Sequence, residues 1–258
     1  MTLLNKTCAA FLLLAFSLQT AAAAKPKPDL AFKNKAATVT VLIDPALKSY
    51  PALAADLLGE GKRWADGQRA EADAARKEDP DRFRQRGYTY ERHYRMRSEI
   101  AGRYISIVRV DYGETGGAHP NSDLDTMIWD KQANKRISIR PFVTDTADGS
   151  AALKAMRGQI VASLAAEKKA RGADIDTDRF DAIEPKLLKI GAVTLAPSTE
   201  AGKSSGLTFH YPPYAVGPYA EGEYVAFVPW ETLKPYLTPE GTKIFSGARP
   251  KGDDDGRR

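Results

Sequence analysis

His119 lies in the most unusual polar segment of the chain, Gly116-Gly117-Ala118-His119-Pro120-Asn121. Paired glycines permit positive φ angles and a close backbone approach, and successive exposed N–H groups can bind an anion. Pro120 stiffens the exit, and Asn121 can close an Asx turn. Two interpretations remain open: a rigid loop that presents His119 to a ligand, or a specialised connection in which the histidine bonds to nearby backbone.

A second irregular segment, residues 211–222 (YPPYAVGPYAEG), is rich in rings and prolines. It lies between two predicted strands and cannot itself be regular sheet, because proline lacks the donor that a β-ladder needs. Tyr211, Tyr214 and Tyr219 could form a stacking platform for a sugar or a peptide. The alternative is a half-buried aromatic corner.

Positive charge is concentrated between Arg82 and Arg103, where seven arginines face two acids, Glu91 and Glu99, in a chain of net charge +5. Arg95 and Arg97 lie on the polar face of a predicted strand and are candidate contacts for an anionic partner. The alternative is a solvated strand face whose charge is balanced by a neighbouring acidic helix.

Catalytic and metal-binding patterns are weak in this sequence. It contains no S-x-x-K, H-E-x-x-H or P-loop motif, and we predict no catalytic residue, metal or cofactor. Asp174-x-Asp176-x-Asp178 imitates the start of a calcium loop but lacks its glycine and its final glutamate. One enzymatic alternative to a non-catalytic protein stays open. It is a wall-modifying hydrolase that uses His119 with Asp123 or Asp125, although no nucleophile is evident.

Hydrophobic periodicity predicts the elements that position these segments. Alternation and helical spacing, with hairpins and no strict strand–helix alternation, indicate an α+β fold of mixed, mainly antiparallel sheets with two principal helices. The predicted strands are 36–44, 124–130, 136–139, 191–196, 206–211 and 223–229, with a hairpin over 87–112. The predicted helices are 51–78 and 148–171, a broken helix over 179–189 and a short one over 230–237.

The N-terminal end of the chain predicts export. Residues 1–24 combine a charged start, an apolar run (Ala9–Leu18) and an Ala-rich exit, which is the pattern of a cleavable signal peptide. The apolar run is about half of the roughly 20 residues that a membrane span needs, so we expect no transmembrane anchor. We expect a periplasmic or secreted protein without a nucleic-acid partner. After the leader, the expected organisation is an N-terminal part (25–112), a C-terminal domain (113–237) and a flexible tail (238–258).

Together the segments GGAHPN and PYAVGPYAEG, at this separation, resemble the RsiV/PdaC-type extracellular domain of bacterial envelopes. Such domains occur on a lysozyme-sensing anti-sigma factor and beside the catalytic domain of a peptidoglycan deacetylase. The match covers nearly the whole chain after the leader, with a departure at Arg140-Pro141, where an acidic residue and leucine are usual.

The resemblance implies a binding or sensing module more than an enzyme. The sequence shows neither a sigma-factor-binding segment with its membrane span nor a deacetylase domain. The implied partner class is therefore cell-wall glycan or a lysozyme-like envelope protein. The predicted binding residues are Gly116, Gly117, His119, Asn121, Tyr211, Tyr214, Tyr219, Arg95 and Arg97.

Overall fold

The computed structural model describes residues 26–175 and 177–253. The predicted signal peptide, residues 1–24, therefore lies outside the described residues. Among the residues described, no helix is both long enough and apolar enough to cross a bilayer.

Within the described residues, nine strands form two sheets, and five α-helices accompany them. The first sheet contains β1 (Leu30–Lys33), β2 (Ala37–Ile43), β3 (Tyr88–Ile100), β4 (Tyr104–Glu114), β5 (Asn121–Asp130) and β6 (Lys135–Ile137). The second contains β7 (Ala192–Pro197), β8 (Ser204–Tyr211) and β9 (Tyr224–Pro229). The helices are α1 (Pro45–Lys48), α2 (Pro51–Glu78), α3 (Ala151–Arg171), α4 (Trp230–Leu233) and α5 (Pro239–Ile244). The predicted α+β class with two principal helices is confirmed, whereas the predicted broken helix over 179–189 is only a short 3-10 turn at Thr177–Ala182.

The first sheet is packed beneath the long helix α2. Its strands are antiparallel except for the parallel pair β2–β3, which α2 connects as a crossover. Strand β2 alternates strictly, and its buried face contributes Val39 and Val41 to the same core as Leu53 and Leu57 of α2. An added Cβ on Gly61 would lie 2.8 Å from Cγ1 of Val41, so this glycine lets the helix lie close to the sheet.

The second sheet is packed against α3. The helix begins at the N-cap Ser150, whose hydroxyl accepts a hydrogen bond from the N–H of Leu153, and ends at Gly172 with φ 67°. Its apolar stripe, Leu153, Met156, Ile160 and Leu164, is fully buried in a core shared with β7, β8 and β9.

Two features of the expected organisation differ in the structure. Residue 112 lies inside β4, which pairs with β5 across the expected boundary, so the first sheet continues beyond it. The expected tail carries helix α5, and Ile244 and Phe245 are buried in the second core. Few apolar residues occur after Leu237, but these two are enough to dock the segment because each removes a large apolar side chain from water.

Candidate functional site

The two irregular segments predicted to carry function lie against each other. The first loop connects β4 to β5, and the second connects β8 to β9. His119 Nε2 lies 3.0 Å from the Tyr214 hydroxyl, 95 residues away in sequence. The His119 ring is stacked on Tyr219 with centroids 3.8 Å apart and planes 16° apart, and Tyr214 lies 5.5 Å from Tyr219. We call His119, Tyr214 and Tyr219 the aromatic cluster.

Hydrogen bonds fix the orientation of the histidine in this cluster. Its Nδ1 lies 2.9 Å from the carbonyl oxygen of Pro120, which can only accept, so Nδ1 carries a proton. In the neutral ring Nε2 is then the acceptor, and the Tyr214 hydroxyl donates to it. His119 therefore bonds to adjacent backbone, as the second interpretation of this loop expects, and it is also exposed at the surface.

Tyr214 is held in an uncommon conformation at the surface. Its φ is 74°, in the left-handed region that bulky residues rarely adopt, and 56% of its surface is exposed. Such strain persists only where surrounding structure imposes it, and it is frequent at ligand sites.

The far end of the tyrosine-rich loop is anchored by a buried lysine. Lys168 of α3, 1% exposed, donates from Nζ to Oε2 of Glu221 at 2.6 Å. The Tyr224 hydroxyl donates to the same oxygen at 2.6 Å. These two hydrogen bonds hold the pKa of the Glu221 carboxyl below its ordinary value. An added Cβ on Gly217 would lie 2.3 Å from that oxygen, so the loop passes directly over the pair.

Tyr211 is a core residue and does not join the aromatic cluster. It is 5% exposed, and its hydroxyl donates to the carbonyl of Ile190 at 2.6 Å. Burial raises the pKa of this hydroxyl, which stays neutral. The prediction of a binding role fits Tyr211 less well than the aromatic corner that was its alternative.

The glycines and Asn121 shape the first loop. Gly116 has φ 80°, and the guanidinium of Arg82 lies beside it, donating to the Thr115 carbonyl at 2.6 Å. Gly117 is exposed, with nothing closer than 3.8 Å to an added Cβ. Asn121 opens β5 opposite Gly113.

Arg95 and Arg97 lie on β3 away from the aromatic cluster. Residue 90 of β3 pairs with residue 113 beside the first loop, so Arg95 is five residues further along, roughly 17 Å. The Arg97 side chain is 4% exposed and forms a bidentate pair with Asp253 at 2.7 and 2.6 Å. The predicted basic binding face is therefore not formed at Arg97, because its charge is buried and neutralised.

Other arginines of this stretch also form ion pairs, but Arg95 has none among the described residues, and its buried Nε has no hydrogen-bond partner there. Arg92 is bound by Asp111, Arg103 by Asp130 and Arg86 by Glu114. These three acids lie on neighbouring strands, and Glu60 of helix α2 lies 3.4 Å from Arg92 as a further partner, so the charge is balanced by the sheet as well as by the helix.

A cleft of about 700 Å³ adjoins the tyrosine-rich loop. Its walls come from β5, from residues 182–193 and from Tyr211, Pro212 and Ala215 at the start of the loop. The lining is mostly apolar, with Asp125, Arg140 and Lys189 as charged members. On its wall Leu188 is 99% exposed, a large apolar side chain available to a ligand.

The predicted hydrolase pair is not assembled. Neither Asp123 nor Asp125 contacts His119: the first accepts from the N–H of Leu124, and the second from that of Thr126 and from Arg109. Within residues 26–175 and 177–253, no three His, Cys, Asp or Glu side chains are grouped as metal ligands. The arrangement is suited to stacking and hydrogen bonding.

Lys168 and Glu221 were not predicted as site residues. A signal was present, since Lys168 continues the spacing of Leu153, Met156, Ile160 and Leu164 along the apolar stripe. A lysine in such a position is buried only when it is paired. The sequence does not reveal that its partner is Glu221, because pairing depends on the path of the intervening loop.

The protein therefore has an α+β fold in which one loop from each sheet contributes to an exposed aromatic cluster. Residues 146–231 match a family model described as "Protein of unknown function (DUF3298)". The matched segment contains α3, β7, β8 and β9 with the tyrosine-rich loop, whereas the His119 loop precedes it.

Two solved structures are similar to the chain. A DUF3298 family protein from Pseudomonas aeruginosa PAO1 is 16% identical, with a TM-score of 0.51, and the match covers 84% of this chain and 95% of that one. A member of the same family from Bacteroides fragilis NCTC 9343 is 17% identical, with a TM-score of 0.48, over 71% of this chain and 69% of that one. No curated protein matches the sequence. At these identities the likeness concerns the fold alone.

Proposed function

We propose that this chain is an exported protein of the bacterial cell envelope that binds an envelope ligand without catalysis. The ligand class is cell-wall glycan or a lysozyme-like protein, and the aromatic cluster is the contact. The observation that carries this proposal is the stacking of His119 on Tyr219 between two loops, with Tyr214 exposed beside them. The predicted leader and the resemblance to RsiV/PdaC-type domains support the location and the ligand class.

The chemistry of the cluster favours recognition over reaction. Stacked rings offer a flat apolar surface with a hydroxyl at its edge, which suits sugar faces and aromatic or proline side chains of a partner. His119 has both nitrogens engaged, so it would have to lose the Tyr214 hydrogen bond before it could act as a base. The neighbouring cleft, which shares Pro212 and Ala215 with the loop, gives a long ligand room to extend.

Replacing Tyr219 by alanine should weaken ligand retention by about tenfold or more, because tyrosines at the centre of a contact carry a large share of binding free energy. Retention is measured by co-sedimentation with purified sacculi and by capture on immobilised lysozyme. Leu58→Ala, which removes an exposed apolar side chain from α2, is the control and should leave retention unchanged.

Three outcomes would contradict the proposal. One is that the wild-type protein is retained on neither material. Another is that Tyr219→Ala and Leu58→Ala bind equally well. The third is the appearance of cleaved or deacetylated muropeptides after prolonged incubation, which would favour the hydrolase.

A further inference from the structure

A second, smaller cavity of about 300 Å³ opens on the α2 side of the first sheet, near the first loop. It is lined by Trp64, Gln68 and Glu71 of α2 and by residues of β3, β4 and β5. Gly113 faces Tyr90 across the strand pair, and an added Cβ there would lie 3.4 Å from the Tyr90 ring. The absence of a side chain at residue 113 therefore leaves space over that ring.

Tyr90, a lining residue of this cavity, carries an unsatisfied hydroxyl. The residue is 5% exposed, and its hydroxyl is buried with no hydrogen-bond partner among the residues that the structure describes. Buried hydroxyls are nearly always paired, because leaving one unpaired costs its full desolvation penalty. Burial, with the nearby charge of Glu71, raises the pKa of Tyr90 to about 12, so the hydroxyl is neutral at pH 7 and able to donate or accept.

Negative charge in the cavity is in excess. Asp111 is neutralised by a bidentate pair with Arg92 at 2.6 Å for both contacts. Glu71 has no hydrogen bond or ion pair within residues 26–175 and 177–253, and the carboxylate of Asp123 accepts only from the neighbouring N–H of Leu124. Two carboxylates are thus available to a cation.

The lining favours an organic cation over a metal ion. In the described part of the chain no cluster of three metal-ligating side chains occurs, so the carboxylates cannot complete a coordination shell by themselves. The walls include the ring of Tyr90, which can attract an ammonium group, whereas the ring of Trp64 already carries the guanidinium of Arg92 at 4.5 Å from its centroid. Gln68 and Asn121 add amide groups for neighbouring hydroxyls or carbonyls.

We propose that this cavity binds the primary ammonium group of a small polar molecule. Glu71 and Asp123 serve as its counter-ions, and the Tyr90 hydroxyl oxygen accepts one of its N–H bonds. The cavity volume is at the lower limit for ligand pockets, which restricts the occupant to a single ring or a short chain. This chemistry is common to an amino sugar and to a lysine side chain. The site is separate from the aromatic cluster, so it stands or fails independently of the proposed function.

The test is calorimetric or NMR titration of the full chain with two amines, glucosamine and Nα-acetyl-lysine amide, beside their N-acetylated neutral counterparts. We expect one or both amines to bind and the neutral counterparts to bind at least about tenfold more weakly. Binding of glucosamine alone assigns the site to amino sugars, and binding of the lysine derivative alone assigns it to side-chain amines.

Variants connect the binding to the cavity. Glu71→Gln should weaken the amine by about tenfold, since it removes one charged partner from an exposed helix position without disturbing the core. Tyr90→Phe should weaken it while leaving folding intact. Glu78→Gln, an exposed acid at the end of the same helix, is the matched control and should have no effect. Absence of binding by both amines, equal binding of the neutral counterparts, or wild-type affinity in Glu71→Gln would each overturn the proposal.

Discussion

Replacing Glu221 by glutamine should lower the free energy of unfolding by about 3 kcal/mol. The variant keeps the shape of the side chain but leaves the ammonium of Lys168, 1% exposed, without a counter-ion. The value lies at the lower end for breaking a buried pair because the Glu221 side chain is 19% exposed and water can reach it. Chemical denaturation with tryptophan fluorescence measures the change.

A double-mutant cycle separates this pair from its surroundings. Lys168→Met replaces the lysine with an apolar chain of similar length and should cost less than Glu221→Gln, since the remaining carboxylate still accepts from the Tyr224 hydroxyl and touches solvent. The double variant should be more stable than the sum of the single losses predicts. Glu231→Gln, an exposed acid in α4, is the control. Additive losses would contradict a direct interaction between Lys168 and Glu221.

Acid should weaken the same pair. The folded protein holds the pKa of Glu221 below its ordinary value of 4.5, so the unfolded chain binds the proton more readily. The stabilisation is therefore present above about pH 4.5 and is lost as the pH falls through the folded pKa. The wild-type protein should lose more stability than Glu221→Gln over that interval.

The anchor also bears on the aromatic cluster. Lys168 and Glu221 fix the end of the loop that carries Tyr214 and Tyr219, and the cluster needs that loop to meet His119. Without this anchor, the rings of Tyr214 and Tyr219 would lose the fixed positions that ligand recognition requires in the proposed function. A partial loss of ligand retention in a folded Lys168→Met protein would indicate that the Lys168–Glu221 pair supports the aromatic cluster.

Local pattern was sufficient to predict most of the elements. Helix α2 begins at Pro51 and ends at Glu78, as its composition and spacing predict, and α3, predicted over 148–171, spans Ala151–Arg171. The hairpin of β3 and β4 follows from alternation on both sides of Ala101-Gly102. These features depend on neighbours within a few residues, which is the range over which periodicity carries information.

Contacts between residues that are distant in sequence were not predicted. Strand β1 has only four residues, too few for their alternation to indicate a strand, and forms because β2 offers it an edge. Arg97 lies on a polar face by pattern but is buried because Asp253, 156 residues away, folds back onto it. The two loops were predicted from their local composition, but the particular contacts of His119 with Tyr214 and Tyr219 depend on how the two sheets are placed, which no local pattern encodes.

Replacing Gly241 by alanine should lower the free energy of unfolding by about 4 kcal/mol, because it forces α5 away from the core. An added Cβ would lie 2.1 Å from the carbonyl oxygen of Phe142, a residue with no exposed surface. That carbonyl already accepts the N–H of Thr238, so it cannot move aside without losing a second contact. Moving α5 instead exposes Ile244 and Phe245, each worth roughly 1.5–3 kcal/mol when buried.

Gly158→Ala is the matched control for this change. Gly158 lies inside α3 with nothing within 4 Å of an added Cβ, so alanine should stabilise the protein by up to about 1 kcal/mol through its higher helix propensity. Opposite signs for two glycine-to-alanine changes in helices would attribute the loss at Gly241 to its contact with Phe142. Amide hydrogen exchange should locate the loss, with residues 239–245 losing protection before β8 does. Unchanged stability in Gly241→Ala would mean that the segment after Leu237 is not docked and that a flexible tail describes it better.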